Sequence, residues 1–233
     1  VVVKPNIGWD RRPEQAANTQ PLVVKAVVAQ ALLAGAKKVQ VFDRTCNEQR
    51  RCYANSGIEQ AIRELNDDRA MIEHIDQRKF VPVEIAKGKA LTRWEIYKDA
   101  LDCDCYINLP VAKHHGLSRL TLGLKNSMGI IGGNRGSLHH DLGQSLADLA
   151  TVIRPKLTLI DATRILLDNG PQGGNLDDVR RMDTLIAAVD PVAADAYATT
   201  LFDLQPDAIA STVAAHRLGL GEMALERIKV VSA

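Results

Sequence analysis

The stretch Pro21–Asp43, PLVVKAVVAQALLAGAKKVQVFD, decides the fold, because a helix is followed in it directly by a strand. Pro21 suits the first turn of a helix, the apolar residues after it nearly encircle that helix, and Gly35 suits its end. KVQVFD at Lys38–Asp43 is then a strand, and Val1–Lys4 forms an earlier apolar strand that Pro5 ends. The order strand, helix, strand predicts the first crossover of a parallel sheet.

The same alternation continues along the rest of the chain. Further helices are predicted from Ser56, over Trp94–Leu101, over Leu138–Ile153, after the Asp190-Pro191 start and over 207–218. Further strands are predicted in two pieces within 70–85, at Cys105–Leu109, Leu157–Asp161, Thr184–Val189 and Ile228–Val231. We therefore expect an α/β fold, with a mainly parallel sheet and helices on both faces. Because no repeat or linker marks a boundary, residues 1–233 are expected to form a single α/β domain.

Composition narrows the classes of partner. Hydrophobic residues make up 46% of the 233 and charged residues 24%, as in ordinary globular proteins. The net charge of +1 carries no block of one sign, so we expect no nucleic-acid partner. No apolar run reaches the roughly 18 residues of a membrane helix, so no membrane span is expected.

Polar residues follow several predicted strands. Because ligands bind beyond the carboxyl ends of parallel strands, these residues are candidates for a shared site. They are Lys4 and Asn6 after the first strand, Asp43 after the second, Lys113 to His115 after CYINL, and Asp161 and Arg164 after LTLI. Asp190 also follows a strand, but a helix cap before Pro191 explains it.

The segment Lys113–Asp141, KHHGLSRLTLGLKNSMGIIGGNRGSLHHD, is the richest in candidates for binding chemistry. Glycines allow backbone N–H groups to approach an anion, and lysine or arginine supplies the opposite charge. The segment therefore predicts a phosphate or carboxylate site. GGNRGS lacks the GK[ST] ending of a P-loop, and the chain has neither a GxSxG elbow nor an HExxH motif.

Four of the six histidines lie in this segment. One histidine from each His-His pair, together with Asp141, could form a divalent-metal site, while acid/base chemistry, anion contact and a structural role are the alternatives. The cofactor is therefore left open, with a divalent metal as one option.

The four cysteines allow a disulfide, a redox pair, a shared metal or free thiols. Cys46 and Cys52 share the polar loop TCNEQRRC, where neighbouring arginines are expected to lower the thiol pKa. We expect a Cys46–Cys52 disulfide in an exported protein and free thiols in a cytoplasmic one. Cys103 and Cys105 are less suited to bond with each other.

These motifs, in this order, resemble the domain-of-unknown-function family 362. The matching stretches run from Val1 to about Thr200: VVVKPNIGWD, AGAKKVQVFDRTC, DCDCYINLPVAKHHGLSRLTLGLKNSMGIIGG, LTLIDATRILLDNGPQGG and AAVDPVAADAYA. The resemblance implies one α/β unit and no settled function. Some relatives carry ferredoxin-like cysteine clusters, from which this chain departs. Relatives with the CY–SGI segment carry twin-arginine signals, which implies a periplasmic or otherwise exported protein. DATR at Asp161–Arg164, with KHHG, also resembles the lactate-racemase-like proteins, which use a nickel cofactor.

Three functions compete at this point. The first is the binding or transformation of a small carboxylate or phosphate in a cleft at the sheet edge, the second is a redox or iron–sulfur-associated accessory role, and the third is a non-catalytic partner-binding domain. For the first, the predicted catalytic residues are Lys4, Asp43, Lys113, His114, Lys125 and Asp161. The predicted ligand-binding residues are Asn6, His115, Asn126, Gly132, Gly133, Asn134 and Arg164. The lysines would supply counter-charges, His114 an acid, base or ligand, and Asp43 or Asp161 an orienting or proton-accepting carboxylate. Substrate, reaction and oligomeric state are open, and so is the choice between an enzyme and a binding protein.

Overall fold

The computed structural model describes residues 1–232 as an α/β fold around one large sheet. The strands are β1 (Val2–Pro5), β2 (Val39–Val41), β3 (Ala70–Ile72), β4 (Phe80–Glu84), β5 (Arg93–Tyr97), β6 (Tyr106–Leu109), β7 (Val111–His115), β8 (Arg119–Thr121), β9 (Leu157–Leu166) and β10 (Val179–Ala188). The α-helices are α1 (Pro21–Leu33), α2 (Gln49–Asn55), α3 (Ile58–Arg63), α4 (Lys98–Asp102), α5 (Gly123–Asn126), α6 (Leu142–Ala150), α7 (Pro191–Thr199) and α8 (Ala210–Arg217).

The large sheet is mostly parallel. Its strand order is β3-β2-β1-β6-β9-β7-β8, and β10 pairs with β9 outside that path. The pairs β1–β2, β1–β6, β2–β3, β6–β9 and β7–β9 are parallel, whereas β7–β8 and β9–β10 are antiparallel. The predicted fold class is confirmed. β1 lies between β2 and β6, so the first strand of the chain occupies the interior of the sheet.

Both faces of the sheet are covered, because apolar side chains of β1 point to each face. Val2 packs on one face with Leu142 and Leu146 of α6, and with the small antiparallel β4–β5 sheet. Val3 points to the other face and packs with Val24 of α1 and Ile58 of α3. Successive residues of a strand face opposite sides, so two neighbouring valines tie helices to both faces.

The Asp190-Pro191 start of α7 is confirmed in detail. The Asp190 carboxylate accepts hydrogen bonds from the backbone N–H groups of Val192 and Ala193, at 2.8 and 2.9 Å. Pro191 occupies the first turn, where its missing N–H leaves no bond unmade. Asp190 is therefore a helix cap.

Four predicted elements differ from the structure. The predicted helix Trp94–Leu101 is wrong in its first half, because Arg93–Tyr97 is a strand in which Trp94 and Ile96 turn inward toward the core. The predicted helix Leu138–Ile153 begins only at Leu142, after a 3₁₀ segment at Arg135–Asp141. The predicted strand Ile228–Val231 does not form.

The fourth difference concerns TCNEQRRC, which is predicted to be a loop. Its second half, from Gln49, forms the first turn of α2. The Glu48 carboxylate caps that helix by accepting hydrogen bonds from the backbone N–H groups of Arg50 and Arg51.

Candidate functional site

A cleft of about 570 Å³ lies where several parallel strands end. Its walls come from the residues after β1 and β2, from β7, from α5 and from the turns that follow α5. The predicted residues that line it are Lys4, Asn6, Asp43, Lys113, His115, Lys125, Asn126, Gly133 and Asn134. The geometry therefore brings most of the candidate side chains into one place, while their roles remain predictions.

Lys4 and Asp43 form a buried ion pair at the base of the cleft. The Lys4 Nζ lies 2.9 Å from Asp43 Oδ1, and both side chains are almost completely excluded from solvent. Nζ also donates to the backbone O and the side-chain Oδ1 of Asn126, at 2.6 and 2.7 Å. Burial lowers the pKa of Lys4, and the adjacent Asp43 carboxylate acts against that shift. The negative charge of Asp43 and the two oxygens of Asn126 together suit an ammonium group.

Gly129 is required by this ion pair. A Cβ atom built on Gly129 would overlap Asp43 Oδ1 and the Lys4 Nζ. The backbone of the GIIGG segment thus passes directly over the pair, and only hydrogen at this Cα leaves the space that the pair occupies.

Asn126 connects the elements of the site. Its Oδ1 accepts from Lys4 Nζ and from Asn6 Nδ2, the latter at 3.1 Å, and its Nδ2 donates to Asn108 Oδ1 at 2.8 Å. Asn108 belongs to β6, so the amide ties α5 to the ends of two adjacent strands. The sequence predicts Asn126 as a ligand-binding residue. In the structure its amide group bonds to Lys4, Asn6 and Asn108 and so joins parts of the fold.

Asp195 of α7 holds the start of α5. Its carboxylate accepts from the backbone N–H groups of Gly123 and Leu124, at 2.6 and 3.0 Å, and is fully buried. Burial raises the pKa of Asp195 to about 7, and the two N–H donors oppose this by favouring the charged form. Because Lys125 and Asn126 lie in the same short helix, Asp195 fixes their position from a separate element.

Two further lysines line the cleft without a carboxylate partner among residues 1–232. The Lys113 Nζ donates to Asn6 Oδ1 at 3.2 Å and to the backbone O of Ala17 at 2.5 Å. The Lys125 Nζ lies 3.0 Å from the sulfur of Met128. Burial lowers the pKa of Lys113 to about 7 and that of Lys125 to about 8.

His115 is a neutral hydrogen-bond donor at the cleft wall. Its Nδ1 accepts from the backbone N–H groups of Leu117 and Ser118, at 3.1 and 3.3 Å. A ring nitrogen that accepts carries no proton, so the proton of the neutral ring is assigned to Nε2. Burial lowers the pKa of His115 to about 3, and the lysine charges add to that shift.

Two arginines complete the rim. Arg44 donates to the backbone O of Ile131 and Gly133 and lies over the ring of Phe80. Arg135 donates to the backbone O of Arg44, Thr45 and Met128. These guanidinium groups hold the loops in place and contribute positive charge. The basic residues of the lining are Lys4, Arg44, Lys113, Lys125 and Arg135, whereas Asp43 is its single carboxylate.

Four predicted residues lie outside the cleft lining. The His114 Nδ1 accepts from the backbone N–H of Gly170, and the Asp161 carboxylate accepts from the N–H of Gln20 and Thr163. Asp161 thus fixes the start of α1. Arg164 pairs within the β9–β10 ladder, and Gly132 packs its backbone against Glu95 of β5.

The residues of the site that sequence reasoning did not assign are Arg44, Arg135, Gly129 and Asp195. Arg44 and Arg135 were visible only as members of charged stretches. Gly129 was one glycine among several in its segment. Asp195 is the last residue of the DPVAAD motif, but its partner in α5 lies about 70 positions earlier, beyond any local pattern.

The metal and disulfide hypotheses are not met by the geometry. Within residues 1–232, no three histidine, cysteine, aspartate or glutamate side chains lie close enough to hold a metal ion together. Asp141 instead caps α6 through the N–H of Gln144.

All four cysteines are free thiols, so no Cys46–Cys52 disulfide forms. The expected lowering of the thiol pKa is wrong for Cys52, because burial raises its pKa to about 11.

Comparison with known proteins gives a family and two individual likenesses. Residues 1–200 match the family model described as domain of unknown function (DUF362). A thylakoid-associated protein of Synechocystis sp. is 29% identical over 234 residues, which cover 97% of this chain and 70% of that protein. The lactate racemase apoprotein from Thermoanaerobacterium thermosaccharolyticum aligns with a TM-score of 0.48 and 12% identity, over 82% of this chain and 46% of that one. None of the helices within residues 1–232 combines the length and the apolar character needed to cross a membrane.

Proposed function

This chain belongs to the DUF362 family, a domain of unknown function, and we propose that it binds a small carboxylate- or phosphate-bearing molecule in the cleft described above. The observation that carries the proposal is the imbalance of charge in the lining, where four basic side chains besides Lys113 face the single carboxylate of Asp43. That carboxylate is already paired with Lys4. The remaining positive charge is stabilised when an anion enters.

Lys125 is the expected main contact. Its ammonium group has the Met128 sulfur as its neighbour, and sulfur is a weak acceptor. An entering oxyanion would replace that contact with a charge-assisted hydrogen bond, which contributes about 1.5–3 kcal/mol. The neutral His115 and the side chain of Asn134 offer further polar contacts on the same cleft wall.

Calorimetric titration with inorganic phosphate and, separately, with acetate tests the proposal and distinguishes the two anion classes. We expect saturable binding of at least one probe, and we expect Lys125→Met to weaken it by about tenfold or more. The matched control is Lys37→Met, which removes an exposed lysine away from the cleft and should leave the affinity unchanged. Absence of binding for both probes, or equal binding by Lys125→Met, would contradict the proposal.

A further inference from the structure

We infer that Lys113 is a nucleophile that condenses with the carbonyl group of an anionic aldehyde or ketone, such as a 2-oxo acid, while Lys125 holds the charge of that molecule. The inference rests on the proposed function and names its substrate class. It follows from a comparison of the three buried lysines of the cleft, which have different hydrogen-bond partners.

The partners of Lys4 and Lys113 indicate different protonation states. Lys4 Nζ donates to two oxygens of Asn126 and forms an ion pair with the Asp43 carboxylate, whose negative charge favours an ammonium group. Lys113 Nζ has two acceptors, Asn6 Oδ1 and the Ala17 carbonyl, and neither is charged. Two acceptors match the two N–H bonds of a neutral amine and leave its lone pair free.

The surroundings of Lys113 favour that neutral amine. Its side chain is 1% exposed and lies on the cleft wall, and no carboxylate within residues 1–232 forms an ion pair with it. Burial without a paired counter-ion lowers the pKa of Lys113 and is the largest effect. The nearby Cys46 and Asp43 act against this shift, whereas the positive charges of Lys125 and Lys4 add to it. A desolvated lysine next to another cation is the environment in which amines form Schiff bases.

The reaction balances without an oxidant or a reductant. The lone pair of Nζ attacks the carbonyl carbon, the carbonyl oxygen takes up a proton, and a carbinolamine forms. Loss of the former carbonyl oxygen as water then leaves a carbon–nitrogen double bond, so one amine and one carbonyl give one imine and one water. His115 presents an Nε2–H on the same cleft wall, which can donate to the carbonyl oxygen as its negative charge develops.

Reductive trapping tests the inference. The protein is incubated with glyoxylate, an anionic aldehyde, then treated with borohydride, digested and mapped by mass spectrometry. We expect the adduct on the peptide containing Lys113, formed at least about a hundredfold faster than on the exposed Lys37, because a much larger fraction of Lys113 is unprotonated at neutral pH. Lys113→Arg should abolish this adduct. If that variant does not fold, the peptide map of the unmodified chain decides the matter by itself.

The role of Lys125 is tested by comparing two aldehydes. Lys125→Met should slow trapping with glyoxylate about tenfold more than it slows trapping with the uncharged propionaldehyde. Some slowing is expected with both aldehydes, because the positive charge of Lys125 helps to lower the pKa of Lys113. Equal slowing with both aldehydes would overturn the assignment of Lys125 as the anion contact.

Failure of the inference is distinct from failure of the proposed function. Phosphate or acetate binding together with labelling of surface lysines alone would overturn the inference and leave anion binding intact. Absence of both anion binding and trapping at Lys113 would overturn the two together.

Discussion

Gly129 shows how a single hydrogen atom permits the buried Lys4–Asp43 pair. Because a Cβ at this position would overlap both charged groups, we expect Gly129→Ala to destabilise the fold by about 1–3 kcal/mol, the usual cost of inserting atoms into a packed interior. The measurement is the midpoint of urea unfolding. Gly116→Ala is the matched control, because the added Cβ would meet no atom nearer than 4.0 Å. An unchanged midpoint for Gly129→Ala would show that the backbone over the pair can move away.

His115 should remain neutral throughout the physiological range. Its pKa in the folded protein is about 3, below the value of about 6.5 for an unfolded histidine. Between these values the unfolded state binds more protons, so this residue makes the folded state less stable as the pH falls from about 6.5 toward 3. We expect its imidazole NMR signals to stay constant from about pH 5 to 8. We also expect the stability of His115→Asn to depend less on pH in the acid range; a titration step of His115 near pH 6.5 would contradict this.

At the scale of elements, the short helix α5 depends on a carboxylate from α7. Removing the Asp195 side chain leaves the N–H groups of Gly123 and Leu124 buried without an acceptor, which costs about 1–3 kcal/mol. We therefore expect Asp195→Ala to lower the free energy of unfolding by at least that amount and to weaken anion binding through displacement of Lys125. Asp141→Ala, which removes an exposed cap with one 3.4 Å bond, is the control and should cost less. Wild-type anion affinity in a folded Asp195→Ala variant would contradict the positioning role.

The sequence predicts most elements of this chain, and its failures have identifiable causes. Helix α1 and strand β2 are recovered because periodicity and end signals agree in Pro21–Asp43. The segment Pro110–Gly136 shows no clear period, because β7, β8 and α5 are each only three to five residues long there. Elements this short are specified by contacts such as Asn126 to Asn108 and Gly123 to Asp195. Such contacts leave no periodic signal in the sequence.

For the candidate site, strand ends are a better guide than residue type. The rule that parallel strands end at one edge places Lys4, Asp43 and Lys113 together, as the structure has them. The same rule also selects Asp161, whose carboxylate fixes the start of α1 instead. A buried aspartate at a strand end can line the cleft, as Asp43 does, or fix a helix start, as Asp161 does. Only three-dimensional contacts distinguish the two roles.

At the scale of the whole molecule, the charge of the cleft differs from that of the chain. The net charge is +1, so anions at a distance feel little attraction, whereas the cleft is locally cationic. We expect phosphate affinity to fall as ionic strength rises from about 0.01 M to about 1 M, where the screening length shortens from about 30 Å to about 3 Å. Phosphate affinity should fall less steeply with ionic strength for Lys125→Met, and as steeply as in the wild type for Lys37→Met. A salt-independent affinity in the wild type would contradict charge-driven binding.

The central position of β1 also has a consequence for the order in which the parts of the site come together during synthesis. Lys4 leaves the ribosome before its partner Asn126, which lies 122 positions later, and Asp195, which positions that partner, comes later still. The side chain of Lys4 in β1 can therefore be buried only after most of the described chain has been synthesised. Such distant pairings close slowly and leave early segments exposed meanwhile. The N-terminal strand is thus the earliest part of the site to be made, and among the last to acquire its working environment.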